Sequence, residues 1–304
     1  MIRSSILLLT KNGASDLEQL LPSLFAQEGA SQVEVIAVDS GSTDRTLDLL
    51  REYRVRIVEI PAEEFHHART RNFAAGLARG EILVFLSQDA VPASASWLSS
   101  LIAAFKDPSV GAVYGRQSAR PEASLERREA LDTVYGPLRI VKDPLLSGPK
   151  GYRFYHFSDA NSAIRRSVWE SVRFPEDLVV FEDLGIAKRI LDLGWKIVYE
   201  PAAQVIHSHA HTTTGLFKRY FDIGYTLKLL NIWDAPGTKG SLLADLTKLV
   251  RSKFRRGGRA KGSRSTVRAL QQDAAKSIGL FLGLNQTYLP LKLKRRLSAF
   301  RVFG

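Results

Sequence analysis

The sequence of 304 residues contains no cysteine. This absence excludes disulfide bonds, thiolate metal sites and a cysteine nucleophile, and it fits a reducing compartment. No stretch approaches the roughly 18 to 20 apolar residues that a membrane-spanning helix needs. The N-terminal sequence MIRSSILLLTKNG has only a short apolar run and lacks a small-residue cleavage pattern. It therefore indicates a core strand rather than a signal peptide, and we expect a cytoplasmic protein.

Acidic residues are scarce in the last third of the chain. From Thr213 to Gly304 there are 19 Lys or Arg and 4 Asp or Glu, which is a net charge of +15. The whole sequence has a net charge of +12, so the remainder has a net charge of −3. The chain is thus a near-neutral body with a strongly basic tail. Such a tail predicts an anionic partner, which is either a membrane surface or a nucleic acid.

Short apolar runs alternate with stretches of helical spacing over the first 114 residues. This alternation indicates βαβ units and a largely parallel sheet, so the fold class is α/β. The predicted strands cover residues 6–9, 33–38, 55–60, 82–86 and 110–114, and the predicted helices cover 16–27, 46–53, 69–79 and 97–105.

The pattern is weaker after residue 116. We predict helices at 122–134 and 183–193, a short helix capped by Ser167, and strands at 196–200 and 204–207. Residues 142–151 have two Pro and two Gly and form a loop, which is either a substrate lid or a disordered insertion.

The tail forms a second predicted region, so the chain divides into domains at 1–213 and 214–304. Helices are predicted at 216–233, 242–254 and 266–284, with a basic, Gly- and Ser-rich linker before the last one. Basic amphipathic segments can lie in the interface of an anionic bilayer. The alternative is that residues 216–254 pack on the first domain or form a homodimer.

Two acidic residues follow buried strands, where ligands bind in open α/β sheets. Asp89 comes directly after the run at 82–86, although it could simply cap the next helix. Asp39 opens the segment DSGSTD, and its carboxylate can accept a hydrogen bond from a nucleotide base. The alternative for this segment is a plain strand-to-helix turn, and the GxGxxG pattern is absent.

Basic and histidine residues form two further motifs. The segment FHHARTRN places Arg69 and Arg71 at a helix start, where a diphosphate binds well, or where they are merely solvated. His207, His209 and His211 would share one face of a strand, and imidazole is a common ligand for divalent metals. A polar strand end is the alternative for the last two.

The motifs TKNG, VDSGSTD, FHHARTRN, FLSQDAVP and FEDLGIAKRILDLGWKIVYEPAAQVIHSH together resemble glycosyltransferase family 2, and most closely its bacterial rhamnosyltransferases. The resemblance covers roughly residues 5–211. It implies a GT-A fold, in which a Rossmann-like nucleotide-binding sheet merges with an acceptor-binding half, followed here by the basic helical extension.

The resemblance also implies roles for individual residues. The donor nucleotide would contact Thr10, Asn12, Asp39, Ser42, Arg71, Asn72, Gln88 and Asp89. Ser87-Gln88-Asp89 lies over the family's DxD metal motif, with Ser87 replacing the first acid. Asp89 and His207 would hold Mg²⁺ or Mn²⁺, with His209 as the alternative histidine. Glu182-Asp183 matches the catalytic acid pair, in which Asp183 is the general base. The acceptor and sugar pocket would include Asp159, Asn161 and His209.

These roles describe a metal-assisted, inverting transfer from a dTDP- or UDP-sugar, with dTDP-rhamnose as one candidate, to a hydroxyl of a cell-envelope or lipid-linked glycan. We expect Asp183 to stay ionised because it lies at a helix N-terminus. Two alternatives stay open: a sugar-phosphate nucleotidyltransferase, although TKNG lacks the usual Gly-rich basic loop, and a nucleic-acid-binding protein. The expected location is peripheral, at the inner face of the cell membrane.

Overall fold

The computed structural model describes residues 3–146, 150–207, 212–232, 264–300 and 303. The chain forms two compact units. Unit 1 comprises Met1–Ser147, Tyr155–Asp177 and Glu182–His209, and unit 2 comprises Gly148–Phe154, Leu178–Phe181 and Ala210–Gly304. The second unit thus includes two short segments from the middle of the chain as well as the basic tail.

Unit 1 is built on one sheet, in which the structure describes nine strands. The central order is β3-β2-β1-β4-β8-β6-β9-β5, and β7 pairs with β9. The strands are β1 Ser4–Thr10, β2 Val33–Asp39, β3 Val55–Glu59, β4 Ile82–Ser87, β5 Val91–Pro92, β6 Val110–Ser118, β7 Ile140–Lys142, β8 Asn161–Arg165 and β9 Lys196–Ile206.

The first four long strands are parallel, as the βαβ pattern predicts. Strand β1 pairs with both β2 and β4, so Thr10 lies beside Asp39 and Leu9 lies beside Ser87. The carboxyl ends of these strands therefore meet at one edge of the sheet. Their apolar side chains are buried because helices cover both faces of a parallel sheet.

Strand β8 is an addition that the sequence pattern did not predict. It runs antiparallel to both β4 and β6, and β6 then pairs in parallel with β9. Residues 196–200 and 204–207 were predicted as two strands, but they form the single strand β9. The parallel half of the sheet is thereby joined to a mixed half that brings the end of β9 close to β6.

Helices connect these strands and bury their apolar sides on the sheet. In α1, the buried residues Leu17, Leu20, Leu21 and Leu24 recur at helical spacing. The helices are α1 Ala14–Phe25, α2 Thr46–Glu52, α3 His67–Leu77, α4 Trp97–Ala103, α5 Leu125–Val134, α6 Tyr152–Tyr155, α7 Arg166–Val172 and α8 Glu182–Asp192.

Unit 2 contains three described helices, α9 Thr213–Leu229, α10 Arg264–Leu284 and α11 Leu291–Leu297. Helices α9 and α10 approach closely because glycines face each other: a Cβ at Gly283 would collide with the carbonyl oxygen of Phe221, and one at Gly224 with that of Leu280. The predicted helix at 242–254 lies outside the described residues. Among the helices that the structure describes, none has the length and apolar character to cross a bilayer.

Candidate active site

A cavity of about 330 Å³ opens at the edge of the sheet where β1, β2 and β4 end. The turn after β4 contributes Gln88 and Asp89, and helix α3 contributes Arg71. The other polar residues that line it are Thr10, Lys11, Ser40, His67, Ser87 and Asp159. Five of the predicted site residues therefore come together at one cavity: Thr10, Arg71, Gln88, Asp89 and Asp159.

Asp39 is fully buried and organises the loop that follows β2. Its two carboxylate oxygens accept hydrogen bonds from the Thr10 hydroxyl at 2.9 Å, the Gly41 N–H at 3.0 Å, and both the N–H and the hydroxyl of Ser42 at 2.8 and 2.6 Å. A nucleotide base would have to share or replace one of these donors. The roles of Asp39 and Ser42 toward a base stay predictions.

Asn12 and Gln88 join the loops around the cavity. The side-chain oxygen of Asn12 accepts a hydrogen bond from the Thr43 N–H at 2.8 Å, and the main-chain N–H of Asn12 donates one to the Ser42 hydroxyl at 2.8 Å. The Gln88 amide accepts from the Lys11 N–H at 2.9 Å and donates to the Lys11 carbonyl at 3.2 Å. Both side chains fix loop geometry, and direct contacts with a nucleotide stay predictions.

Asp89 and His207 lie side by side although 117 residues separate them in the chain. The Asp89 Oδ1 atom is 3.3 Å from the His207 Nε2 atom, and both side chains are largely buried. The other ring nitrogen of His207 lies 2.9 Å from the Gln117 amide oxygen, which accepts a hydrogen bond only from a protonated Nδ1. This contact fixes the orientation of the ring, in which Nε2 faces Asp89.

These two residues fit a divalent cation that takes its remaining ligands from a diphosphate. A carboxylate oxygen and an oriented imidazole nitrogen are suitable donors, and a second-shell partner such as Gln117 is typical of metal-binding histidines. Within the described ranges, no group of three or more His, Asp or Glu residues could hold a metal by itself.

Two residues that line the cavity, Arg71 and Asp159, belong to a cluster of one arginine and three carboxylates. The Arg71 guanidinium contacts Glu182 at 2.6 Å and Asp159 at 3.4 Å, and all three side chains are largely buried. Asp183 is the next residue of α8, and its Oδ1 atom accepts a hydrogen bond from the Leu184 N–H at 2.8 Å. A single guanidinium faces three acids, so charge repulsion within the cluster is strong.

This crowding changes the acidity of two of the carboxyl groups. Burial raises the pKa of Asp159 to about 7, although Arg71 opposes the shift. Burial and the carboxylates of Asp159 and Glu182 raise the pKa of Asp183 well above the ordinary 3.8. Desolvation and like charges thus oppose the effect of the helix dipole on the Asp183 pKa, and the expectation that Asp183 stays ionised remains a prediction. The result is a stronger base than an ordinary aspartate.

Asn72 and Asn161 are placed in the core rather than at the cavity. The Asn72 amide bonds with the main chain of Phe174 and with the Glu176 carboxylate, and its oxygen also accepts from the Trp169 ring N–H. Asn161 is fully buried, donates to the Ala203 carbonyl at 2.8 Å and accepts from the Trp97 ring at 2.9 Å. Their predicted roles, toward the donor nucleotide for Asn72 and in the acceptor and sugar pocket for Asn161, stay predictions.

Some residues that line the cavity were not among the predicted site residues, and Lys11 and His67 are the two with ionisable side chains. Lys11 extends its amine to the Ser40 carbonyl at 3.2 Å, and His67 lies within 3.5 Å of the Arg71 guanidinium. Both residues lie in motifs of the resemblance, Lys11 in TKNG and His67 in FHHARTRN. The motifs could therefore have identified them, although no role was predicted for these two positions. His209 lies outside the described residues, and its predicted role stays a prediction.

The comparisons with known proteins agree with this architecture. Residues 5–173 match the family model for glycosyl transferase family 2. The chain is 32% identical to the O-antigen chain rhamnosyltransferase WbaN of Salmonella anatum, over 92% of this chain and 88% of that protein. It is 31% identical to RfbN of Salmonella typhimurium, an O-antigen chain rhamnosyltransferase, over 89% and 86% of the two chains.

Solved structures show the same fold at low identity. The mannosyltransferase PcManGT from Pyrobaculum calidifontis, in complex with GDP-Man and Mn²⁺, has a TM-score of 0.58 at 21% identity, over 99% of this chain and 85% of that one. S. aureus TarS 1-349 in complex with UDP-GlcNAc has a TM-score of 0.58 at 15% identity, over 94% and 91%. The sheet and its flanking helices therefore form a GT-A fold.

Proposed function

The chain belongs to glycosyl transferase family 2, and from this premise we propose that it transfers rhamnose, with inversion, from dTDP-rhamnose to a hydroxyl group of a cell-envelope or lipid-linked glycan. One observation carries the proposal. One cavity is lined by Asp89, Arg71 and Asp159, and Arg71 contacts Glu182 directly. The cavity thus combines a site for a diphosphate with a buried carboxylate cluster.

The nucleotide end of the donor would lie over the loops that Asp39 and Asn12 organise. Thr10 and Ser40 present small side chains there, so a nucleotide can approach the backbone. The Lys11 amine lies at the cavity wall, where it can contact a phosphate oxygen without large movement. These residues bind and orient the donor, which lowers the entropic cost of the transfer.

The diphosphate end of the donor would lie beside Asp89 and His207, which are the residues that would hold Mg²⁺ or Mn²⁺. When bound, such a cation supplies positive charge for the leaving diphosphate. Gln117 keeps the His207 ring in the orientation that presents Nε2, and the backbone of Ser118 accepts the His207 N–H at 2.8 Å. The chain therefore holds both ligands in place before a donor arrives.

Asp183 would act as the general base. The acceptor O–H bond breaks, its proton moves to a carboxylate oxygen of Asp183, and the acceptor oxygen forms a bond to the anomeric carbon. The bond from that carbon to the diphosphate oxygen breaks, and the nucleoside diphosphate leaves with the electron pair. Arg71 positions Glu182 and Asp159 around this base, and their charges keep its proton affinity high.

The choice of rhamnose and of a glycan acceptor rests on the two O-antigen rhamnosyltransferases, which this chain matches over almost its whole length. Transfer to such an acceptor would place the enzyme at the inner face of the cell membrane.

The decisive experiment replaces Asp183 by Asn. We expect kcat to fall by about 10² to 10⁴ because the general base is lost, while the Kd for dTDP-rhamnose, measured by titration calorimetry, stays within about threefold. Asp192→Asn is the matched control, because Asp192 lies at the other end of α8 in a partly exposed pair with Lys188. That variant should keep its kcat.

A wild-type kcat for Asp183→Asn would exclude Asp183 as the base. Retention of configuration in the product, read from its anomeric NMR coupling, would exclude the direct displacement altogether. Loss of donor binding in Asp183→Asn would instead assign the residue to the donor site.

A further inference from the structure

Unit 2 presents a surface on which apolar and basic side chains are exposed together. Tyr288 is 84% exposed, Leu291 53% and Leu293 40%. The basic residues Lys292, Arg295 and Arg296 lie in the same short segment and are also exposed. The exposed side chains of residues 288–296 are called the 288–296 surface below.

The rest of unit 2 holds this segment in place. The carboxylate of the buried Asp222, on α9, accepts hydrogen bonds from the N–H groups of Ala299 at 2.8 Å and Phe300 at 3.1 Å, directly after α11. The Phe303 ring packs against Tyr225 at 4.9 Å between centroids. These contacts attach the residues that follow the 288–296 surface to helix α9.

Acidic groups that could neutralise this surface are scarce in unit 2. In the part of unit 2 that the structure describes, the acidic residues are Asp222 and Asp273. Asp222 is fully buried, and Asp273 forms an ion pair with Lys276 at 3.3 Å. The exposed charges of the segment are thus uniformly positive, which favours an extended anionic partner.

Helix α9 does not have this character. Leu216, Phe221, Ile223 and Leu227 of α9 are buried, and the glycines of α10 pack closely against the α9 backbone. Helix α9 therefore packs against α10 within unit 2. In the described part of unit 2, the segment around α11 exposes apolar and basic side chains together, and further apolar side chains are exposed at Leu229, Ile278 and Phe281.

We propose that the 288–296 surface binds the interface of an anionic lipid bilayer. Tyr288 and Leu291 would enter the headgroup region, where an aromatic ring and a short aliphatic chain gain from partial burial. Lys292, Arg295 and Arg296 would contact lipid phosphates, while their aliphatic stems cover the apolar side chains. This surface is separate from the cavity of unit 1 and goes beyond the proposed transfer reaction.

The test is flotation of the full-length protein with vesicles of phosphatidylcholine alone or mixed with phosphatidylglycerol, at low and high salt. We expect binding to the anionic vesicles at low salt, much weaker binding at high salt, and little binding to neutral vesicles. A wild-type protein that does not bind anionic vesicles at low salt would overturn the proposal.

Two variants assign the binding to this surface. The charge-reversed variant, with Glu at positions 292, 295 and 296, should lose about 100-fold or more in vesicle partitioning, because each basic residue near the surface contributes roughly fivefold. The apolar variant, Tyr288→Ser with Leu291→Ser, should lose about 10-fold. Unchanged partitioning of the charge-reversed variant would overturn the proposal.

The matched control reverses three exposed basic residues of unit 1, Arg51, Arg54 and Lys106, and should bind vesicles nearly as the wild type does. An equal loss in this control would show a general charge effect and would also overturn the proposal. Thermal unfolding of every variant checks its fold. If charge reversal lowers the Tm, Lys292→Gln with Arg296→Gln replaces it, and about a 25-fold loss is expected.

The apolar variant separates a membrane from other polyanions. A nucleic acid would need the charges but not Tyr288 and Leu291, so wild-type partitioning of the apolar variant would overturn the lipid assignment in favour of a polyanion site. Transfer to a water-soluble acceptor should be unchanged in all these variants. The vesicle result therefore stands or fails independently of the proposed reaction.

Discussion

Asp89 follows strand β4 and Asp39 ends strand β2, and the two carboxylates have different surroundings. Asp89 faces the His207 ring at 3.3 Å, whereas Asp39 accepts four hydrogen bonds within its own loops. We expect Asp89→Ala to weaken donor binding by about 10- to 100-fold when Mn²⁺ is present and only slightly without it. Titration calorimetry in Mn²⁺ and in chelator measures this difference.

Asp39→Ala should weaken donor binding in both conditions, because the loop beneath the nucleotide loses its organising carboxylate. Equal losses for Asp89→Ala with and without Mn²⁺ would remove the metal role from Asp89. The pair of variants thus separates the nucleotide end of the cavity from the diphosphate end.

The carboxylate cluster predicts a pH dependence. Asp183 must be ionised to accept a proton, and its pKa is raised above 3.8, so kcat should fall on the acidic side at a pH well above that value. Asp159 is one cause of the raised pKa of Asp183. Asp159→Asn should therefore shift the acidic limb of the kcat profile to lower pH, because the negative charge near the base is removed.

Asp159→Asn should also change how the free energy of unfolding depends on pH. The pKa of Asp159 is raised to about 7, so the folded protein keeps this proton while the unfolded chain loses it. Stability therefore falls as pH rises from about 4 to about 7, and Asp159→Asn should flatten this dependence. Urea unfolding across that range measures it, and an unchanged slope together with an unshifted acidic limb would contradict the coupling.

Residue types alone predicted part of this site. Asp89 was found because an acid directly after an apolar strand stands out, whereas Asp159 and Glu182 were found through the resemblance to glycosyltransferase family 2. Gln117 was missed because a glutamine within a strand has no sequence signature, and its role arises from a contact with His207 across 90 residues. Asn72 and Asn161 were assigned as ligands, since the sequence does not distinguish an amide that faces a cavity from one that is paired in the core.

At the scale of elements, periodicity predicted the parallel half of the sheet and most helices to within a few residues. Strand β8 was not predicted because its sequence, NSAIR, has polar residues at positions that are buried between the antiparallel neighbours β4 and β6. Asn161 and Ser162 are buried there because their side chains find partners in the core. Tertiary pairing, which no local pattern contains, decided this strand.

The close packing of α9 and α10 predicts opposite effects for two glycine substitutions. Gly283→Ala should destabilise the protein by about 2 kcal/mol or more, because the new methyl group would collide with the Phe221 carbonyl oxygen and force the helices apart. Gly76→Ala is the matched control: nothing lies within 4 Å of its Cβ position in α3, so helix propensity should add up to about 1 kcal/mol.

Urea unfolding followed by circular dichroism distinguishes these outcomes. A neutral or stabilising effect of Gly283→Ala would show that the helices separate at little cost, and the glycines would then not determine their spacing.

At the scale of the whole molecule, charge and chemistry are divided between the units. The cavity, the neighbouring residues Asp89 and His207, and the carboxylate cluster all belong to unit 1, whereas the excess of basic residues belongs to the tail in unit 2. In the sequence this basic excess begins near Thr213. The sequence did not predict that residues 148–154 and 178–181 join the second unit, since such contacts depend on tertiary structure.

The donor itself can be identified from the stability of the whole protein. A ligand that binds only the native state stabilises it by about 2.7 kcal/mol at a concentration of 100 times its Kd, which raises the Tm by several degrees. We expect dTDP-rhamnose with Mn²⁺ to raise the Tm more than UDP-GlcNAc or GDP-mannose at the same concentration. Chelation of the metal should reduce the shift, and Asp89→Ala should remove the part that depends on metal. A larger shift with GDP-mannose would contradict rhamnose as the transferred sugar, while leaving a nucleotide sugar as the donor.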